Sequence, residues 1–502
     1  MQRLVLVLNI PLFPQISYAK RAFFFQTLSA SAIAMAMSES TVTIHEITRV
    51  TPSSDSPNSA NEFSLPLTFF DTYWFKFPPV QSLYLYQLNE SHSTPSYFNS
   101  EILPRLKQSL SLALSHYLPI AGYLKWPPGA DRPVVSYTSN DGVALTVAES
   151  NVAIFDTLIS NEMHRAKDSH PFTPELVLSD DKAAILALQI TLFPLQGFSI
   201  GTAAHHSAFD GRIASMFMRS WAYLCKHGTN ELPPELAPSF DRSIIKDPSV
   251  LVLRFLNQWL AVFDEDQESD TRSFKIPASL QAVSDGVVRA TFEFSSNDIR
   301  RLKEKALSEL KTDGRGKQQR HLSSFVVTLA YTATCLVKTK GEGDRDVVID
   351  FGVDCRARLD PPAPPTYFGN CVVNYSNSEK ARNFAGANGF AFAIDMVSEL
   401  VQKVKKGVLE GAEMNVSNFY APKLPGTQLI MVAGSPKLNV YDADFGQSKL
   451  KKLEIVSIER DEAVFMAESG EGNGGVEVGL ALEKHEMEEF AALFYGGLRS
   501  LN

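Results

Sequence analysis

Two adjacent histidines carry the strongest chemical signal in this 502-residue chain. They stand in the run Gly197-Phe-Ser-Ile-Gly-Thr-Ala-Ala-His205-His206-Ser-Ala-Phe-Asp210-Gly211-Arg212. A neutral imidazole can take a proton from an alcohol near neutral pH, so either ring is a candidate general base. Neighbours on a strand point to opposite faces, so at most one of the pair can face a shared pocket. The competing reading is a pair of satisfied core or surface histidines. Asp210 falls where a helix begins. There its carboxylate would accept from free amides of the first turn and face the positive helix end. It is then expected to hold the turn rather than touch substrate.

Other patterns offer rival chemistry. Gly197-Phe-Ser199-Ile-Gly201 fits G-x-S-x-G, the nucleophile elbow of serine hydrolases, which would make Ser199 a nucleophile. That elbow needs a sharp strand-to-helix turn at the serine. Here the apolar strand pattern runs on to Ala204 and the helix starts well past the serine. Gly470-Glu-Gly472-Asn-Gly-Gly475 fits G-x-G-x-x-G, but it lies between two strand-like segments and reads as a hairpin loop. A metal site on His205, His206 and Asp210 lacks any HExxH or further His/Cys cluster, and no metal is expected.

The elements that position these residues mix strands and helices. Helices are expected over Ser100–His116, Gly211–Lys226, Ser296–Leu310, Leu322–Val337, Phe390–Gly407 and His485–Leu498. In the second, Ile213, Met216, Phe217 and Leu224 fall on one face that should pack inward. In the last, Met487, Phe490 and Phe494 recur at helical spacing. Strands are expected over Leu83–Leu88, Val134–Tyr137, Ala184–Leu192, Phe198–His205, Ala290–Phe294, Asp346–Val353, Leu429–Ala433, Leu453–Ile458 and Val476–Ala481, and Thr41–Val50 is strand-like. There is no strict βαβ repeat, so a mixed-sheet α/β architecture in two layers fits better than a doubly wound parallel sheet. The chain divides into a first domain, residues 37–226, a crossover, 227–272, and a second domain, 273–502. The crossover holds Pro233, Pro234 and Pro238, an apolar helical stretch around Val250–Phe263 and an acidic run from Asp264 to Asp270.

Composition narrows the function classes. Hydrophobic residues make up 44% and charged residues 21%, as in ordinary globular proteins. The net charge of −9 argues against a polyanion such as nucleic acid as the main partner. No apolar run approaches the roughly 18 residues of a membrane span. Cys225, Cys335, Cys355 and Cys371 are far apart and form no CxxC pair, as expected of reduced thiols in a cytoplasmic enzyme. Residues 1–36 contain no Asp or Glu and are set outside the fold. They read as a transit peptide, a weak secretory signal or upstream sequence before a working start at Met35 or Met37, the last being favoured.

Several blocks, in order, resemble the plant BAHD acyltransferases. His206 and Asp210 match the His-x-x-x-Asp-Gly signature. Leu65–Asp71 (LPLTFFD), Ser109–Leu124 (SLSLALSHYLPIAGYL) and Val353–Pro362 (VDCRARLDPP) look like further family blocks. Tyr367–Cys371 (YFGNC) resembles the motif of the branch that acylates anthocyanins and other phenolic glycosides. Asp444-Phe445-Gly446 matches the start of the family's DFGWG, but the block continues Gln447-Ser448 in place of Trp-Gly.

The resemblance implies an α/β fold of two chloramphenicol-acetyltransferase-like mixed-sheet domains joined by a long crossover, with a channel at their interface. It implies His206 as general base in moving an acyl group, malonyl or hydroxycinnamoyl, from an acyl-CoA co-substrate to a sugar hydroxyl of a flavonoid or phenolic glycoside. No cofactor would be permanently bound, and the enzyme would act as a cytoplasmic monomer without nucleic-acid or membrane partners. It implies that Asp210 points away from substrate and pairs with an arginine, for which Arg289 is the candidate. Ser435 is a candidate oxyanion donor and Asn370 a candidate for shaping the pocket. Asp444, Phe445 and Gly446 are candidates for the CoA side. The altered block leaves open a member that keeps the fold and binds ligands without turnover.

Overall fold

The computed structural model describes residues 41–54, 62–247, 250–263, 272–276, 285–312, 322–341, 343–403, 426–460 and 463–501. The extension over residues 1–36 and the acidic run from Asp264 to Asp270 lie outside them. Three sheets organise the chain. The first has six strands in the order β1 (Val42–Val50), β6 (Val143–Ser150), β9 (Leu186–Phe193), β10 (Gly197–Ala204), β3 (Val80–Gln87) and β15 (Leu450–Ile455). The second has seven, in the order β13 (Val372–Lys380), β12 (Asp346–Asp354), β14 (Thr427–Gly434), β16 (Val464–Glu468), β17 (Val476–Glu483), β11 (Val287–Phe294) and β7 (His164–Arg165). A small sheet joins β2 (Phe63–Pro66), β5 (Val134–Tyr137), β4 (Tyr123–Lys125) and β8 (Lys182–Ala184). Parallel pairs (β6 with β9, β12 with β14, β14 with β16) sit among antiparallel ones, so both large sheets are mixed.

The two halves exchange strands. β15, from the second half, pairs with β3 in the first sheet, and β7, from the first half, pairs with β11 in the second. The crossover helix Leu251–Phe263 packs its Trp259 into the first half, where the indole N–H donates to the Thr72 carbonyl at 3.0 Å. Among the described residues no helix is long and apolar enough to cross a membrane.

Local chemistry explains the elements nearest the site. β9 and β10 are central strands, and β9 is buried along its whole length. A central strand covered on both faces is apolar throughout rather than alternating. The glycines of G-x-S-x-G answer a packing need here. A Cβ on Gly201 would lie 2.0 Å from the Phe172 carbonyl oxygen and one on Gly197 2.2 Å from that of Tyr86. After β10 the helix Gly211–His227 starts at Asp210, whose carboxylate accepts from the Ile213 N–H, and stops at Gly228, which takes φ 59°. Its buried face includes Ile213, Met216, Phe217 and Leu224, as the spacing predicts. Burying each such side chain stabilises the fold by about 1.5–3 kcal/mol. The helix expected over Phe390–Gly407 runs Gly389–Lys403, and the rest lies outside the described residues. The strand expected over Leu453–Ile458 is shifted: β15 ends at Ile455 and the chain turns into a 3₁₀ segment.

Candidate active site

β10 ends at Ala204, so neither histidine is on the strand. The His205 N–H donates to the Ile185 carbonyl at 2.9 Å, and the residue is 1% exposed. Burial, assisted by the nearby His206 and Lys76, pushes its imidazole down to about 3. His205 is a neutral core histidine. The next residue turns the other way. The His206 ring stacks on Trp74, with centroids 4.0 Å apart and planes 9° apart, and Phe77 meets its edge at 5.4 Å. Burial lowers its pKa, while its own carbonyl, the Asp210 charge and Asn370 pull the other way. The net shift is downward, so the imidazole is neutral, the form that accepts a proton.

His206 lines a cavity of about 1780 Å³. The first half contributes Trp74, Thr202 and His206 to its wall, and the second contributes Phe351, Asn374 and Ser435. Its wall is mostly apolar, as in small-molecule sites. Asp350, on β12 beside this wall, accepts from the Asn374 amide at 2.8 Å, and burial raises its carboxyl to about 7.

Asp210 is 2% exposed and saturated with donors. Beyond the helix cap it meets Arg356 Nη1 at 2.9 Å, Arg356 Nη2 at 3.1 Å and the Cys371 N–H at 3.0 Å. Arg356, not Arg289, is the arginine at Asp210. Arg289 is committed elsewhere. From β11 its guanidinium binds the carbonyls of Ile455 and Val456 and the Glu459 carboxylate, where β15 leaves the first sheet.

Ser435 does line the cavity. Asn370 does not shape it: the side chain is fully buried, and its amide donates to the Asp71 carboxylate at 3.1 Å and to the His206 carbonyl at 2.8 Å. Asp444, Phe445 and Gly446 are also absent from the cavity wall. Asp444 pairs with Lys226 at 2.7 Å, at the C-terminal end of the helix Gly211–His227. Phe445 packs edge-on against Tyr86 and Trp221. These residues brace the helix from behind. Ser199 is fully buried in mid-strand, so the serine-nucleophile pattern has no elbow. The glycine-rich run Gly470–Gly475 joins β16 to β17 as a hairpin loop, with Gly472 and Gly474 at positive φ. Among the described residues, no group of three or more His, Cys, Asp or Glu side chains could hold a metal ion. All four cysteines are free and buried.

Sequence reasoning missed Arg356, Asp71 and Trp74. A signal existed for Arg356: a buried capping carboxylate requires a cation, and the VDCRARLDPP block carries arginines. Nothing in the local pattern pointed to Trp74 as the platform under the imidazole.

The model of the Transferase family matches residues 40–496. The chain belongs to this family, the BAHD acyltransferases. It is 40% identical over 470 residues to phenolic glucoside malonyltransferase 1 of Arabidopsis thaliana, covering 92% of this chain and 99% of that one. It is 39% identical over 467 residues to a malonyl-CoA:anthocyanidin 5-O-glucoside-6''-O-malonyltransferase of the same plant, covering 91% and 99%. The fold is that of vinorine synthase, with a TM-score of 0.64 at 20% identity and coverage of 92% and 98%. As a BAHD member this chain is an acyltransferase that takes its acyl group from an acyl-CoA co-substrate.

Proposed function

We propose that the enzyme transfers a malonyl group from malonyl-CoA to a sugar hydroxyl of a phenolic or flavonoid glycoside, with His206 as general base. The observation that carries this is a neutral imidazole on the wall of a cavity lined by both halves. The relatives' malonyltransferase names support the donor and the acceptor class. Nδ1 of His206 is buried, which leaves Nε2 to meet a ligand. The acceptor hydroxyl gives its proton to Nε2 as its oxygen attacks the thioester carbonyl. The tetrahedral oxyanion then collapses, the C–S bond breaks, and the imidazolium returns the proton to the departing thiolate. Ser435, which lines the cavity, is the candidate donor to that oxyanion in this reading. Asp210, at the edge of the cavity and held by Arg356 and the Cys371 N–H, has the role of supporting the turn in this reading.

The test is a screen of malonyl-, acetyl- and p-coumaroyl-CoA against phenolic glucosides and their aglycones, read by mass spectrometry. The expected result is malonylated glucoside and no product from the aglycone. His206→Ala should lower kcat/KM by about 10²–10⁴-fold. No acyl transfer from any donor, or full turnover by His206→Ala, overturns the proposal. Turnover in the same screen would exclude the ligand-binding reading raised by Gln447 and Ser448.

A further inference from the structure

The crossover supplies an arginine that no sequence pattern singled out. Arg242 opens a 3₁₀ turn, and its Nη1 donates to Asp71 at 2.8 Å and to the Tyr367 hydroxyl at 2.6 Å. Asp71 is fully buried. One of its oxygens takes the Arg242 contact together with the N–H and hydroxyl of Thr68, at 2.9 and 2.8 Å. Its other oxygen accepts from the main-chain N–H of Asn370 at 2.8 Å and from the Asn370 side-chain amide at 3.1 Å. The same amide reaches the carbonyl of His206. A continuous line of hydrogen bonds, charge-assisted at Asp71, thus runs from a guanidinium, through a carboxylate and an amide, to the main chain of the proposed base.

Two further facts bear on what this line does. Asp71 is three residues before Trp74, the platform on which the His206 ring lies, and its main-chain carbonyl accepts from the Trp74 N–H at 3.1 Å, so one short segment carries both the carboxylate and the platform. And the close approach is built in. Gly369 takes φ 131°, a backbone conformation that favours glycine, and a Cβ there would lie 2.3 Å from Arg242 Nη1, so a larger residue would be strained and would push the guanidinium off Asp71. Phe368 packs against Phe209, within the turn that follows His206, and against Phe240 of the crossover. The YFGNC block is therefore clamped between the crossover and the histidine turn instead of facing substrate.

We propose that Arg242, Asp71 and Asn370 are positioning residues that act as one relay, setting the His206 imidazole on Trp74 in the geometry needed for proton transfer. The relay rests on His206 being the base. Displacing a reacting group by about 1 Å can cost about 10²-fold in rate without touching substrate affinity. Asn370 also pulls the His206 pKa upward, against burial.

The experiment measures kcat, both KM values, the pH profile of kcat/KM and thermal melting for Asn370→Ala, Asp71→Asn, Arg242→Met, Arg242→Lys and the double variant Asp71→Asn/Asn370→Ala. In Asn370→Ala, kcat should fall by about 10–100-fold with both KM values within about twofold. The acidic limb of its pH profile should move to lower pH, because the upward pull on His206 is gone. Arg242→Lys, which keeps the charge, should retain more activity than Arg242→Met at equal melting temperature. The double variant should lose no more kcat than its worse parent, as residues acting in one unit do. Should Asn370→Ala fail to fold, the Arg242 pair decides. Losses that simply follow melting temperature, an unmoved pH limb or additive losses overturn the relay. If His206→Ala is inactive while folded Asn370→Ala behaves as wild type, the relay alone falls. If His206→Ala keeps its turnover, the base assignment falls first.

Discussion

The turn that carries His206 and the turn that carries Asp444 are both hallmark blocks of one family, yet they are held in opposite ways. Around His206 a buried ion pair and buried hydrogen bonds reach across the molecule, Asp210 to Arg356 and Cys371, Asn370 to Asp71 and the His206 carbonyl, while His205 Nε2, His206 Nδ1, Ser207 Oγ and Asn370 Oδ1 are buried without a partner. Around Asp444 the ties are made by partly exposed groups: its carboxylate accepts from the Gly446 N–H at 2.8 Å, and Ser448 Oγ donates to the Gln87 carbonyl at 2.5 Å. The pair of Asp444 with Lys226 is partly exposed. Beyond Phe445, Gln447 lies beside a small gap bordered by Ile102, Leu106, Phe198 and Cys225, with its buried Oε1 unpartnered. The family's tryptophan is missing at this place. A site that must hold one imidazole cannot relax without losing its chemistry. A brace behind a helix can lose a side chain and keep its backbone.

Four substitutions press on this contrast. The largest effect is expected from Arg356→Met. It strips the cation from a carboxylate that is 2% exposed and should destabilise the protein by about 3–5 kcal/mol in urea unfolding. A loss under about 1 kcal/mol would mean that the histidine turn is no better anchored than the other. Asp350 is an intermediate case, a desolvated carboxyl with the Asn374 amide as its bond. Its folded pKa of about 7 lies above the ordinary 3.8. The folded state therefore holds its proton longer than the unfolded chain does. This contribution is fully present below pH 3.8 and is lost as pH rises through about 7. Asp350→Asn should raise the melting temperature at pH 8 relative to wild type and narrow the gap between pH 5 and pH 8. An unchanged gap would show that Asp350 is solvated through the cavity.

Gln447→Trp should fill the gap, stabilise by about 1 kcal/mol and leave kcat within about twofold. Destabilisation by about 1–3 kcal/mol would signal overpacking and show that the turn has closed around glutamine. The smallest effect is expected for Ser199→Ala. Its buried Oγ has no partner, so stability should move by less than about 0.5 kcal/mol and activity should persist. Loss of turnover in that variant would revive the serine-nucleophile reading.

Much of the site was readable because it is local. Asp210 at a helix start, Gly228 at its end and the apolar face of Ile213, Met216 and Phe217 are matters of capping and a 3.6-residue period, which the chain writes within a few positions. The run of the strand past Ser199 was readable for the same reason. The identity of the arginine at Asp210 was not. Arg289 and Arg356 are equally good cations, and no periodicity distinguishes them.

What the chain order by itself determined was the strand, turn and helix that present His206, together with the blocks that mark the family. Tertiary structure decided which distant groups meet that turn: Arg356 at Asp210, Asn370 under the His206 carbonyl, Trp74 beneath the ring, and β15 and β7 traded between sheets. The reason is physical. Capping and amphipathic packing depend on neighbours a few residues away. Pairing a buried charge depends on which of many like charges the folded backbone brings within about 3 Å.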